Sequence, residues 1–294
     1  MWISRILRSS LIGLGAKGKN ISTSKGLPKK LPIAGVQNVV LIASAKGGVG
    51  KSTVAVNLAL AYTMLNSAFR IGLMDADVFG PSIPQMMSLE GIEPEVNEKN
   101  LIIPLQNYGI KTMSMGSLIK KDSAVVWRGL MVMSAIQQLL RKVAWGPLDT
   151  LFVDTPPGTG DVQLSISQNI PVQGAVIVTT SHSLSLADTR RGIEMMLKLK
   201  VPLIGIVENM SHFVCPCCKT QTDLWQLDDT AGSDSGAAKL AAEYSTPLLC
   251  RLPIEPMMSV TNDRGQPVVI SHPDSGSAVT YKRLAAAVHD FLTR

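Results

Sequence analysis

An apolar run over residues 39–44 opens into Ser44-Ala45-Lys46-Gly47-Gly48-Val49-Gly50-Lys51-Ser52-Thr53, and a helical pattern over 51–66 follows. The glycines let the backbone curl until several N–H groups face one anion. The start of a helix then adds its dipole. Lys51 can reach the β- and γ-phosphates, and Ser52 can offer its hydroxyl oxygen to Mg²⁺. Gly47, Gly48, Val49, Gly50, Lys51, Ser52 and Thr53 are therefore the expected phosphate cradle. Such a loop works only between a strand and a helix, so the chain is expected to be α/β. Ala45 stands where the strict template has glycine, and its methyl is expected to strain the loop's first turn.

The alternation continues beyond the loop. Short apolar runs at 39–44, 71–74, 151–153, 175–179, 203–207 and 248–252 suit strands buried on both faces of a parallel sheet. Helical patterns fall between them at 51–66, 129–142, 184–199, 235–244 and 278–292. Together they predict right-handed crossovers and a doubly wound, mostly parallel sheet, with one domain over 31–294. A pair at 102–104 and 110–115, joined through Gln106-Asn107-Tyr108-Gly109, reads as an attached hairpin. The uncharged stretches 52–69 and 162–182 are broken by Asn57, Asn66 and Pro171 and read as a packed helix and a helix–strand pair, not membrane spans. The C-terminal stripe Tyr281, Leu284, Val288, Phe291 and Leu292 is expected to pack on the sheet, leaving peripheral association with an inner membrane open.

Charge is unevenly spread. The net charge is +6, from 28 basic and 22 acidic residues, but residues 1–30 hold seven of the bases and no acid. The remainder, 21 against 22, is about neutral, so no nucleic-acid partner is expected. Trp2, Ile3, Ile6, Leu7, Leu11 and Leu14 recur at helical spacing among serines, with Arg5 and Arg8 off the stripe. Those are the marks of a mitochondrial transit peptide over 1–30 and place the chain in the matrix. Four cysteines in 294 residues exclude a disulfide-stapled scaffold.

Cys215-Pro216-Cys217-Cys218 contains a C-x₂-C pair, Cys215 and Cys218, spaced to chelate one metal centre. Tetrahedral zinc and a [4Fe–4S] cluster usually want four thiolates, and a symmetric dimer would supply the other two. A redox pair prefers a helix N-terminus, and no helical pattern starts at Cys215. Cys250 lies in an apolar run and reads as core, Cys217 as a bystander. His212 is a weaker candidate ligand.

The second lysine of the loop, Lys46, resembles the deviant phosphate loop of the Mrp/MinD/ParA class of ATPases. That resemblance implies that Lys46 acts across a dimer on the partner's nucleotide, as an arginine finger does. It implies that Asp154, at the end of one strand, is the Walker B acid that holds Mg²⁺ through water. Asp77 resembles the switch I acid that orients or deprotonates the attacking water, and Gly158 offers its N–H to the γ-phosphate. Asp75 and Asp161 fit a structural reading as well as a catalytic one.

Asp77-Val78-Phe79-Gly80-Pro81-Ser82, residues 126–135, residues 156–165, Glu208-Asn209-Met210-Ser211 and Gly265-Gln266-Pro267 are close to the wording of the Mrp/NBP-type iron–sulphur carrier ATPases, over residues 32–290. With the N-terminal address, the chain is most similar to that family's mitochondrial branch, which serves respiratory complex I assembly. The family implies ATP, Mg²⁺ and a homodimer whose two C-x₂-C pairs share a labile [4Fe–4S] cluster. ATP hydrolysis would serve its passage to apo-proteins, complex I subunits among them. Asn209 and Pro253 would contact the adenine. The chain leaves the family's wording over residues 223–230. A competing reading is a MinD/ParA-like positioning switch with structural zinc at the cysteines.

Overall fold

The computed structural model describes residues 30–78, 80–118, 129–225 and 235–294. The expected transit peptide (residues 1–29 of it), Phe79, Val126–Arg128 of the family wording and most of the divergent 223–230 stretch lie outside them.

Among the described residues, ten strands run in chain order as β1 (Val36–Ala43), β2 (Ile71–Asp75), β3 (Leu105–Asn107), β4 (Ile110–Ser114), β5 (Leu148–Asp154), β6 (Gly174–Thr179), β7 (Leu203–Glu208), β8 (His212–Val214), β9 (Gln221–Asp223) and β10 (Leu248–Arg251). The longer helices are α1 (Lys51–Thr63), α2 (Gly129–Arg141), α3 (Asp161–Asn169), α4 (Ser183–Lys198), α5 (Gly236–Glu243), α6 (Pro256–Asp263) and α7 (Gly276–Leu292). Single-turn helices occur at Ile83–Met86, Met115–Leu118 and Val268–Ser271.

Eight strands form one sheet in the order β10-β7-β6-β1-β5-β2-β4-β3, parallel except for β3 against β4. Alternation along each strand explains the layers. Val39, Leu41 and Ala43 of β1 face one core with Leu151 and Val153 of β5; Val40 and Ile42 face the other with Phe152. The first core takes α2, α3, α4 and α5. The second takes α1 and α7, through Leu58, Tyr281, Leu284 and Val288. The C-terminal stripe thus packs inward as the sequence predicts. Helix α1 is apolar all round because it is buried all round, and its polar Asn57 is satisfied: its amide donates to the Thr53 carbonyl at 2.9 Å and its oxygen accepts from the Val269 N–H at 3.3 Å.

Two expectations are corrected. The hairpin's first strand is Leu105–Asn107, not 102–104; Ile102 instead bridges Val96 and Val143. Helix α6 has no counterpart in the helical patterns of the sequence. Among the described residues, no helix is long and apolar enough to cross a membrane.

β1 sits between β5 and β6, so the chain leaves it in one direction for β2 and returns on the other side for β6 and β7. In such a sheet the crevice opens at the carboxyl ends of the strands where the order reverses. The loop after β1, Asp75 at the end of β2, Asp154 at the end of β5 and Asn209 just after β7 all reach that edge.

Candidate nucleotide cleft and thiol hairpin

The loop after β1 takes left-handed turns at Gly48 (φ 77°) and Gly50 (φ 79°), and no side chain caps the N-terminus of α1. A side chain at Gly47 or Gly48 would meet open space, so a cradle of bare backbone faces the cleft. Val49 is buried and anchors the loop; its carbonyl accepts the Asn209 amide at 2.8 Å. Ala45 does not strain the turn. It is not among the left-handed residues, and its methyl seats over Gly192 of α4.

Lys51, only 6% exposed, donates to Asp154 Oδ1 at 2.5 Å and lies 3.3 Å from Ser52 Oγ. Ser52 Oγ donates to Asp154 Oδ2, also at 2.5 Å. Burial pushes the Asp154 carboxyl above the usual carboxylate range, while Lys51 and Ser52 act against that rise. Asp75 is level with Asp154 in the β2–β5 register and fully buried. Burial first, then the charge of Asp154, raises its carboxyl to about 7. It accepts the Ser114 hydroxyl at 2.8 Å and the Asp77 N–H at 3.0 Å. Asp77 lines the cleft and accepts the Gly80 N–H at 3.3 Å. Gly158, at φ 96°, donates its N–H to the Ser44 carbonyl at 2.9 Å, so in this conformation that group faces the loop's own backbone. A γ-phosphate contact there would need that bond to open. Asp161 is exposed in the first turn of α3.

Beside them opens a cleft of about 540 Å³. Lys46, Lys51, Ser52, Thr53 and Asp77 line it, together with Asn209, Met210, Pro253 and Ile254. The far wall is α6, with Met258, Asn262 and Asp263; Asn262 donates to Thr53 Oγ1 at 3.2 Å.

Cys215 and Cys218 lie in the turn joining β8 to β9, with the Cys215 N–H bonded to the Thr220 carbonyl at 3.0 Å and the Lys219 N–H to the Cys215 carbonyl at 2.9 Å. Cys217 and Cys218 are exposed, Cys215 half-buried, and all are free thiols. The Thr220 hydroxyl, 3.2 Å from Cys218 Sγ, and the Thr220 N–H bring the Cys218 thiol down to about 7, and Cys215 adds to the effect. That favours thiolate, the ligand form. Burial pushes Cys250 in β10 up to about 12, as a core residue should be. His212 pairs with Ser211 Oγ at 2.7 Å in β8. Among the described residues, no group of three His, Cys, Asp or Glu could hold a metal ion.

The NUBPL iron-transfer P-loop NTPases, a ParA-type family, match this chain over residues 35–289. The chain belongs to this family. The mouse (Mus musculus) iron–sulfur cluster transfer protein NUBPL is 53% identical over 90% of this chain and 81% of its own length. An Arabidopsis thaliana iron–sulfur protein required for NADH dehydrogenase, mitochondrial, is 46% identical over 91% of this chain and 82% of its own. A solved nucleotide-binding protein from Archaeoglobus fulgidus, in complex with ADP, superposes with a TM-score of 0.67 at 35% identity, covering 80% of this chain and 88% of that one. The fold is therefore the doubly wound P-loop class that the first strand and its loop predict.

In this family member the predicted residues fall into two groups. Lys46, Gly47, Gly48, Val49, Gly50, Lys51, Ser52, Thr53, Asp77, Asn209 and Pro253 line the cleft. Asp154 lies beneath it, bonded to Lys51 and Ser52. Cys215 and Cys218 stand apart on the hairpin. The α6 wall was missed, although Glu255-Pro256 carries a start signal: proline at the first helical position. Arg251 and Glu208 were missed too. Buried Glu208 accepts Arg251 Nε at 3.0 Å, and Arg251 also reaches Asp223 of β9 at 2.9 Å. No local pattern announces that pairing.

Proposed function

We propose that this protein is an ATP-binding iron–sulphur carrier. It assembles a [4Fe–4S] cluster as cargo between the Cys215/Cys218 pairs of two copies and passes it to apo-proteins, subunits of respiratory complex I among them. The observation that carries the reading is the thiol pair itself: two free cysteines at an exposed hairpin turn, half a tetrahedral ligand set, in a chain whose fourth cysteine is in the core.

The lining of the cleft supports a nucleoside triphosphate with Mg²⁺ as its occupant. The bare-backbone cradle at Gly47 and Gly48 takes the phosphates, and Lys51 exchanges Asp154 for them. Ser52, with Asp154 behind it through water, would hold Mg²⁺, which neutralises phosphate charge when bound. Asp77 orients the attacking water, and Lys46 of each copy is offered to the partner's nucleotide. Asn209 keeps its side-chain oxygen for the base after its amide binds Val49. Gly158 turns to the γ-phosphate by releasing Ser44. Hydrolysis to ADP and phosphate, at a slow rate, serves cluster transfer. Residues 1–30 address the chain to the mitochondrial matrix, leaving 31–294 as the working domain; contact with the inner membrane would be peripheral.

Anaerobic reconstitution with iron and sulphide tests the reading. The brown protein should carry about two irons per chain, one cubane per dimer. Cys215→Ala or Cys218→Ala should abolish the colour, whereas Lys51→Ala should lose nucleotide binding and still take iron. Iron loading in the two cysteine variants equal to that of the wild type would falsify the assignment, and a colourless zinc protein would favour a structural site.

A further inference from the structure

The thiol hairpin is two strands of three residues each, too short to hold an orientation alone. Its orientation comes from what it hangs on. Two of its attachments are segments that also line the nucleotide cleft. Met210 lines the cleft in a left-handed conformation (φ 53°), and its carbonyl accepts the Trp225 indole N–H at 2.7 Å. Ile254 lines the cleft, and its N–H donates to the His212 carbonyl at 2.7 Å, beside a Phe213–Ile254 bridge. Between them, the Ser211 N–H and hydroxyl both reach the Leu252 carbonyl, at 2.9 and 3.0 Å.

A third attachment does not touch the cleft. Asp223 accepts from Arg251, which is held by Glu208 at the buried end of β7. Ser181 and Ser235 also donate to Glu208, at 2.5 and 2.8 Å. The hairpin thus has one fixed pivot in the sheet and one mount on the cleft wall. Both Asp223 and Trp225 fall in the stretch where the chain leaves its family's wording.

We propose that Trp225 is a positioning residue which, with the Ile254 main chain, makes the cleft wall the mount of the thiol pair, so that a nucleotide packed against Met210 and Ile254 resets where Cys215 and Cys218 point. This rests on the cleft being the nucleotide site and deepens that reading. The coupling is reciprocal: what the thiols hold alters nucleotide affinity by the same factor.

The test uses the full chain, reduced and metal-free, at a concentration where sedimentation shows single protomers. ADP with Mg²⁺ is the probe, because it lacks the γ-phosphate expected to draw two copies together. Iodoacetamide labelling is followed at each cysteine by peptide mass, and ADP binding is measured separately by calorimetry. Bound ADP should change the Cys218 labelling rate about fivefold or more, the lower end of ordinary site–site coupling, and leave Cys250 unchanged. In Trp225→Phe, which keeps the ring and loses the donor, ADP should still bind but the change should fall below about twofold. Asp223→Asn frees the pivot and should alter labelling equally with and without ADP. Zn²⁺ on the wild-type thiols needs no variant and should shift the ADP Kd by the same factor by which ADP shifts the Zn²⁺ Kd. The proposal is overturned if ADP binds and neither thiol responds, if Trp225→Phe responds as the wild type does, or if Zn²⁺ leaves the Kd unmoved. A chain that binds no ADP instead sinks the nucleotide reading of the cleft, and this proposal with it.

Discussion

Asp75 and Asp154 stand level on adjacent strands, both without solvent, and of the two carboxylates Lys51 bonds Asp154. Asp75 relies on a hydroxyl and an N–H, and burial beside Asp154 holds it up to about 7. An unfolded aspartate titrates near 3.9. Between those values the folded chain keeps a proton that the unfolded chain has released. Its stabilising effect is complete below the unfolded value and is lost as pH rises through about 7. Asp75→Asn should therefore gain on the wild type between pH 5 and pH 8 in thermal denaturation, by about 2–4 °C for each kcal/mol recovered. A gap in Tm that does not widen with pH refutes this account. The sequence left Asp75 open between a structural and a catalytic role. Its state depends on Ser114, 39 positions away, and on Asp154 on the next strand. Ala45 is a similar case, because its tolerance is set by Gly192 on α4.

At the scale of elements, the joint between the phosphate loop and the segment after β7 leaves no room for a side chain at Gly50. A Cβ at Gly50 would lie 2.3 Å from Asn209 Nδ2, on a backbone already at φ 79°. Gly50→Ala should displace the Asn209 amide from Val49 and leave a left-handed alanine at the start of α1. Nucleotide affinity should fall about tenfold or more, equivalent to at least ~1.4 kcal/mol, while the sheet still folds. Calorimetry on the variant decides, and an unchanged Kd counts against the joint. β1, β2, β5, β6, β7 and β10 were legible because each is an apolar run, and α2, α4, α5 and α7 because each carries a 3.6-residue stripe; β8 and β9, three residues each, have no such run and were not read. Helix α6 was not, since one side faces the cleft and Met257 and Val260 are about half exposed, leaving no stripe to read. Met113, Met115 and Met196 are buried in the core, but Met131 on α2 is 40% exposed.

At the scale of the molecule, the thiol hairpin follows the carboxyl end of β7, and the cleft lies at the carboxyl ends of the same sheet's strands; the proposed dimer would bring a second copy to both. Sedimentation of the cluster-loaded chain should show a dimer with ATP and Mg²⁺, and Lys51→Ala should not respond to ATP. A wild-type chain that stays a single protomer under every nucleotide condition, yet holds an intact cubane, excludes the shared-cage arrangement. The α/β class, the phosphate loop and the C-x₂-C pair followed from sequence alone, because each is written in consecutive residues or in a short period. Which groups those residues meet was decided only by the tertiary structure. Lys51 finds Asp154 across 103 positions, and Asn209 finds Val49 across 160. The physical reason is that such bonds depend on where neighbouring strands end and in what order they lie, and hydrogen bonds of about 3 Å tolerate little error in either.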